Sequence, residues 1–503
     1  MTDIIPSILN QIKHSLNSEG KLDYTFELIK KEQRKPNELS FVAGAKENIL
    51  GISNKPAEKT SCVMKYLMAN DKEISILVKQ LSEESIDVLY DANNTLYNDI
   101  FENRSTLDGD HGYAFASECI LSSSNPEVVK AGLIVLGSFE NFGDRLIEPL
   151  KLIALYESFT NYVIYIFKKF PDGNDWIFDI AKKTHGWGKI NAVENLKVTN
   201  DEMKYWLASE GCSNAVMDGY LSYECAQKIN IYEYVQKEHL SQEELVGLQT
   251  IIFALINEDG APCAGISDME HPVELLSNFY NQIKDKLVDC TQIKFLTDVE
   301  EYLVENHEEN EIAITIINSI KTQIEQLPLE RIVINSLNEN DNYHIWIAVY
   351  IANKMNIDIA DELFKLLKSN YLKYSSYTWY FFKHKILIDE ILDLYENSID
   401  LTLIATGMGD SLGFGDNHSL YMSLTSIIQE LGAYPNKGVN LIKAALQSPV
   451  VSHRNMAARA MKRWSVSTGL PLKEFNSELY HLTKQTISIE VNDTAKENLT
   501  ELI

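Results

Sequence analysis

Apolar residues in this chain recur at steps of three and four with few interruptions, and that spacing is the strongest constraint on its fold. In residues 245–256, Leu245, Leu248, Ile252 and Leu255 form one stripe; in 312–324, Ile312, Ile316, Ile320 and Ile324 do the same. In 361–372, Leu363, Leu366, Leu367 and Leu372 repeat the pattern, with Asp361 placed to open the helix. Such spacing puts the apolar side chains on one face of an α-helix. Alternating apolar–polar runs, which a half-buried strand needs, are few and short, and even 332–337 suits a helix as well as a strand. Only 23 glycines and 12 prolines interrupt 503 residues, so the connections are short. The expected class is all-α.

A long series of short helices is either one bundle or a stack of helix pairs, and internal repeats discriminate between them. Residues 126–137 read P-E-V-V-K-A-G-L-I-V-L-G. Asn125 is a competent N-cap, Pro126 sits where its missing N–H costs nothing, and Glu127 falls in the first turn. Ala131, Leu133 and Leu136 point inward. Residues 449–464 follow the same plan, with Pro449 after Ser448 and Val450, Ala457, Ala460 and Met461 as the stripe. Residues 272–283 are a weaker copy, and 187–196 place Ala192 and Leu196 similarly. These segments resemble HEAT-type repeats, in which P-E-V-x-x-A-x-x-x-L-G opens the inner helix of each pair. The resemblance implies an α-solenoid of HEAT/armadillo-like helix pairs over residues 106–466, preceded by a helical region at 1–105 and followed by a capping helix and polar tail at 467–503.

Charge narrows the partners. The formal net charge is -27, with 45 basic and 72 acidic side chains. Such a surface repels phosphate backbones and anionic lipids, so neither nucleic acid nor membrane is an expected partner. No run of eighteen apolar residues is present, and the start of the chain lacks the basic and apolar regions of a secretory signal. Six scattered cysteines (Cys62, Cys119, Cys212, Cys225, Cys263 and Cys290), without a C-x-x-C pair, predict buried free thiols in a reducing cytoplasm. They offer no zinc spacing.

The stretch 404–418, I-A-T-G-M-G-D-S-L-G-F-G-D-N-H, fits two catalytic templates. G-D-S-L-G matches the G-x-S-x-G nucleophile elbow, with Ser411 as nucleophile and 399–406 as its strand. That motif needs a surrounding parallel sheet and a later acid and histidine. Asp416 and His418 are too close to serve, and His453 lies in a repeat segment. G-M-G-D-S-L-G also matches a dinucleotide loop, but no second strand follows at 427–438. The third reading is an inter-helix connection. Here Gly407 and Gly409 cap one helix with positive φ, Gly413 and Gly415 form a turn, and Asp416 or Asn417 caps a helix from His418 to Leu431. This reading accounts for each polar residue without a sheet and is the one we expect.

His185, beside Trp187, is expected to be packed and hydrogen-bonded, and the carboxylates of 298–311 to form a solvated helix face. From Leu431 to Lys473 there is no acidic residue, while Lys437, Lys443, Arg454, Arg459, Lys462, Arg463 and Lys473 all fall there. Lys443, Arg454, Arg459, Lys462 and Arg463 are therefore the candidate partner-binding residues, forming a basic patch for an acidic protein segment. The competing expectation is that they pair with carboxylates of adjacent helices.

G-M-G-D-S-L-G-F-G, then S-P-V-V-x-x-R-N-M-A, then Trp464 also resemble a bacterial family named limonene hydroxylase. That resemblance, confined to residues 407–464, implies monoterpene hydroxylation and NAD-linked oxidation of carveol or perillyl alcohol, with NAD and FAD as cofactors. The residues themselves supply no haem ligand, no metal triad and no nucleotide-binding unit. The expected function is an interaction scaffold without intrinsic catalysis or resident cofactor, with the monoterpene oxidoreductase as the alternative.

Overall fold

The computed structural model describes residues 5–29, 41–50, 61–69, 72–84, 95–258, 263–286, 289–339, 341–415 and 417–503. Among these the regular structure is helical throughout, apart from one isolated parallel bridge between Ser411 and Val450. The segments with helical apolar spacing are helices: Gln242–Ile256, Glu311–Glu325 and Ala360–Ser369. The ambiguous 332–337 lies within the helix Leu329–Leu337.

Local chemistry sets the helix ends. Ser241 and Glu244 form a reciprocal capping box at the start of Gln242–Ile256, and the Asn310 side chain accepts from Ile312 and Ala313 at the start of Glu311–Glu325. Asp361 lies inside the first turn of its helix rather than opening it. The carboxylate three residues earlier, Asp358, accepts from the Ala360 N–H instead. Leu372 falls beyond that helix and is exposed.

The chain divides into two compact units, one comprising 1–33, 40–287 and 295–326, the other 34–39, 288–294 and 327–503. The boundaries expected after residues 105 and 466 do not coincide with this division. Helix Gly109–Ser122 packs on Ile8–His14 and Ile74–Glu83, and Leu472, Leu479 and Leu499 belong to the same apolar core as Trp464.

In the first unit, helices beginning at Pro126, Glu157, Trp187, Gly219, Gln242, Pro272 and Glu311 pack each on the next, at uneven steps. Three of the four segments singled out by sequence, 126–137, 187–196 and 272–283, fall on this series. Helix Pro126–Gly137 is buried along almost its whole length and is capped by Asn125 as the sequence predicts. It packs tightly on Gly109–Ser122 at Gly132, where a Cβ would lie 2.6 Å from Cys119 Cβ. Glycine, rather than the neighbouring Ala131, therefore sets this helix separation. Lys130 projects from the same helix into the interior between Glu127 and Glu47, at 2.8 and 2.5 Å. Burial opposes its charge, but the two carboxylates outweigh burial and hold its pKa above the usual lysine value.

In the second unit, the core is built from Asn342–Met355, His418–Ile428, Val439–Leu446 and Val451–Thr468, with Ser477–Ile489 and Asp493–Thr500 packed around them. Trp464 is fully buried, and its indole N–H donates to the Leu431 carbonyl at 2.6 Å.

Candidate functional site

The glycine-rich stretch lies in the second unit and is a connection between helices. The stretch 399–406, which the elbow reading needs as a strand, holds a single helical turn, Leu401–Ile404, capped by Asp400. After it, the backbone runs beside residues 447–451. Gly407 N–H donates to the Gln447 carbonyl at 3.0 Å, Ser411 N–H to Pro449 at 3.1 Å, and Val451 N–H to Ser411 at 3.1 Å. Each of these backbone groups finds a partner in the facing segment, as backbone withdrawn from water must.

The glycines divide by role. Gly407, Gly413 and Gly415 have φ of 108°, 84° and 104°, where a Cβ is disfavoured. Gly409 does not, which corrects the expected positive-φ cap at that position. Its need is close approach, because a Cβ there would sit 3.1 Å from Pro449 Cβ. Pro449 in turn does not open the next helix. That helix starts at Val451, and Pro449 lies in the segment facing the glycines. Asp416 lies outside the described residues. Asn417 occupies the N-cap position of His418–Ile428 but makes no side-chain capping bond, and that helix ends at Ile428, short of Leu431.

Ser411 has no base beside its hydroxyl in hydrogen-bonding reach among the described residues; its Oγ accepts from Gly413 N–H at 3.0 Å. His418 instead bonds through Nδ1 with the Gly413 carbonyl, and its ring stacks with Phe414. A different serine–histidine pair does form. Ser448 Oγ lies 2.9 Å from His453 Nδ1, while His453 Nε2 lies 3.0 Å from the Tyr421 carbonyl and 3.1 Å from Thr425 Oγ1. A carbonyl only accepts, so Nε2 carries the proton and Nδ1 accepts from the Ser448 hydroxyl. This is the protonation a general base needs, but both residues are fully buried. Burial also depresses the His453 pKa to about 4, with the adjacent Arg454 charge adding to the effect and the Tyr421 bond opposing it. The pair is a sealed packing element.

The five candidate partner-binding residues separate. Arg454 is a correction: it is fully buried under this chain's own residues and is not part of an exposed patch. Its Nε and Nη2 form a fork on the Glu490 carboxylate at 2.6 and 2.7 Å, Nη1 donates to the Ser448 carbonyl at 2.6 Å, and Nη2 also donates to Gly409 at 2.8 Å. Glu490 Oε1 accepts further from the Val491 and Asn492 N–H groups, each at 3.0 Å. One guanidinium thus joins the glycine loop, the facing 447–451 segment and the segment after Ser477–Ile489. Lys443 pairs with Glu478 at 2.6 Å, and Lys462 pairs with Glu501 on an exposed face. Arg459 and Arg463 are exposed and form no ion pair among the described residues. The Arg463 stem covers Gly432, and its charge opposes the upward shift that burial imposes on Glu430. Arg459, Lys462 and Arg463 therefore share an exposed face of Val451–Thr468, with Lys443 on a separate helix and Arg454 inside.

Glu490 is the residue that sequence reasoning missed. The signal was present: a basic stretch without acids needs counter-charges from elsewhere, and Glu478, Glu490 and Glu501 follow it at once.

Other candidates take structural roles. His185 is packed on Tyr24, with its Nε2 at 3.2 Å from the Leu22 carbonyl. The Glu157 carboxylate accepts from the N–H groups of His185, Gly186 and Gly188 and so occupies the start of helix Trp187–Asn195. In the carboxylate-rich run, Asp298 is buried and Glu300 pairs with Lys321 at 3.4 Å, so that face is only partly solvated. All six cysteines are free, four of them buried; burial pushes the Cys225 thiol up to about 12. Among the described residues no group of three His, Cys, Asp or Glu is placed to hold a metal ion, and no helix is long and apolar enough to cross a membrane. Compared with family models, curated proteins and solved structures, the chain matches none.

Proposed function

We propose that this chain is a cytoplasmic helical-repeat scaffold of HEAT-like, solenoid type that binds acidic segments of protein partners, without intrinsic catalysis or resident cofactor. The observation that carries the reading is the exposed Arg459, Lys462 and Arg463 face on Val451–Thr468 in a chain of net charge -27. The same stretch already holds carboxylates of the following segment through Lys443, Arg454 and Lys462, so its chemistry suits acidic helices. The series of stacked helices in the first unit supports the repeat reading, because stacked pairs bury a continuous core and leave an extended surface for binding.

The test is selection of helical peptides from a displayed library against the homogeneous protein. The peptides obtained should be acidic, and Arg459→Glu with Arg463→Glu should weaken them about tenfold or more and flatten their salt dependence. Peptides without acidic bias, or binding indifferent to the reversal, would remove the reading. The limonene hydroxylase resemblance supplies the competing reading. A near-stoichiometric flavin or haem absorbance band, or carveol formed from limonene, oxygen and NADH in proportion to protein, would establish that one instead.

A further inference from the structure

The segment 490–503 lies along helix Val451–Thr468 in the manner of a bound ligand. Contacts follow in order along the helix: Glu490 on Arg454, Asn498 Nδ2 on Asn455 Oδ1 at 2.9 Å, and Glu501 on Lys462. Arg454 and Lys462 lie eight residues apart, about two helical turns along the helix, with Arg454 on its buried side and Lys462 on its exposed side. Between the charged contacts, Ala495 and Leu499 of helix Asp493–Thr500 are fully buried, and Leu502 is packed partly buried on the core. Asn492 caps that helix and also reaches Asp410 of the glycine loop at 2.9 Å.

We infer that residues 490–503 are a cis-bound plug, and that the surface beneath accepts in its place an acidic amphipathic helix from a partner. The inference rests on the scaffold reading and names the regulation of that surface. The partner helix would carry the plug's own pattern: a carboxylate for Arg454, a small residue five positions on, leucine four after that, and a second carboxylate for Lys462. Two physical features make the plug exchangeable. Helix Asp493–Thr500 has eight residues, shorter than the length at which an isolated helix holds itself in water, so leaving the surface and unwinding are one event. Its polar contacts along the helix itself are modest, because the Lys462–Glu501 and Asn498–Asn455 pairs are solvent-exposed, so its hold rests on the Ala495 and Leu499 contacts. The Arg454–Glu490 fork supplies the specificity. Opening strips a buried guanidinium of its carboxylate, which is costly unless another carboxylate replaces it. An acidic helix meets that condition, and a neutral apolar helix does not.

The experiment uses the full chain and a fluorescent synthetic peptide with the sequence of residues 488–503. Leu499→Asp removes the plug's apolar anchor and leaves Arg454 and Glu490 in place. The peptide should bind this variant about tenfold or more tighter than the parent chain, and a Glu490→Gln peptide should lose about tenfold or more. Equal binding by variant and parent, binding to neither, or indifference to Glu490→Gln would overturn the plug. Hydrogen exchange on the parent chain gives a second reading that does not depend on the variant folding. Amides of 494–500 should exchange about a hundredfold faster than those of 454–464, and equal protection would overturn the proposal. If library-selected acidic peptides bind through Arg459 and Arg463 while exchange in 494–500 stays unchanged, the scaffold reading stands and the plug falls.

Discussion

At the residue scale, His453 and Arg454 are neighbours in sequence, both fully buried, and opposite in charge state. Around Arg454 a carboxylate and two carbonyls replace water and offset the cost of burying the guanidinium. His453 has only neutral partners and is held neutral, with a pKa near 4 against an ordinary 6.5. The unfolded chain therefore binds a proton at this histidine before the folded chain does. Its contribution to stability is complete above pH 6.5 and is lost as pH falls from there toward 4, amounting to roughly 3 kcal/mol over the window. Chemical denaturation at pH 7, 6, 5 and 4 should show this slope, and His453→Gln should remove much of it between pH 6.5 and 5, above the ordinary carboxylate range. An unchanged slope would mean that His453 is not the titrating group. Arg454 was misread from sequence as a surface charge because an acid-free window counts charges and ignores helical phase. Its stripe-mates Ala457, Ala458 and Met461 are apolar and buried, and that pattern already placed position 454 inside.

At the element scale, the connection 405–417 shows why a glycine motif alone is weak evidence for catalysis. Its backbone hydrogen bonds to 447–451 and its link to Arg454 account for the residues that both catalytic templates would claim. Sequence reasoning reached the inter-helix connection because no strands flanked it. It could not separate Gly407 from Gly409, because conformational freedom and close approach both select glycine. The two now differ in a measurable way. Gly407 has open space around its missing Cβ and a φ of 108°, so Gly407→Ala should cost on the order of 1 kcal/mol through backbone strain alone. Ser411→Ala removes one side-chain hydrogen bond, should cost at most about 1 kcal/mol, and should leave acidic-peptide binding unchanged. Urea unfolding of both variants, with the peptide-binding measurement, checks these values; loss of an enzymatic activity in Ser411→Ala at full stability would restore the nucleophile reading.

At the scale of the whole molecule, the all-helical class was legible because helical periodicity recurs in segments along the chain, such as 245–256, 312–324 and 361–372, and outweighs an ambiguous one such as 332–337. The stacked helix series of the first unit was only partly legible, since only its members 126–137 and 272–283 open on a proline; packing faces, not opening residues, define it. Charge is the other property of the whole chain. With 72 acidic against 45 basic side chains, like-charge repulsion acts over the entire surface, whereas exposed ion pairs such as Lys462–Glu501 each contribute little. Raising salt from about 10 to about 150 mM shortens the screening length from about 30 to about 8 Å. Screening then relieves the many long-range repulsions and weakens only a few short contacts, while the buried Arg454–Glu490 fork is largely insensitive. The melting temperature of the parent chain should therefore rise by a few degrees over that salt range. A fall instead would mean that the surface pairs, including those holding 490–503 in place, outweigh the net charge.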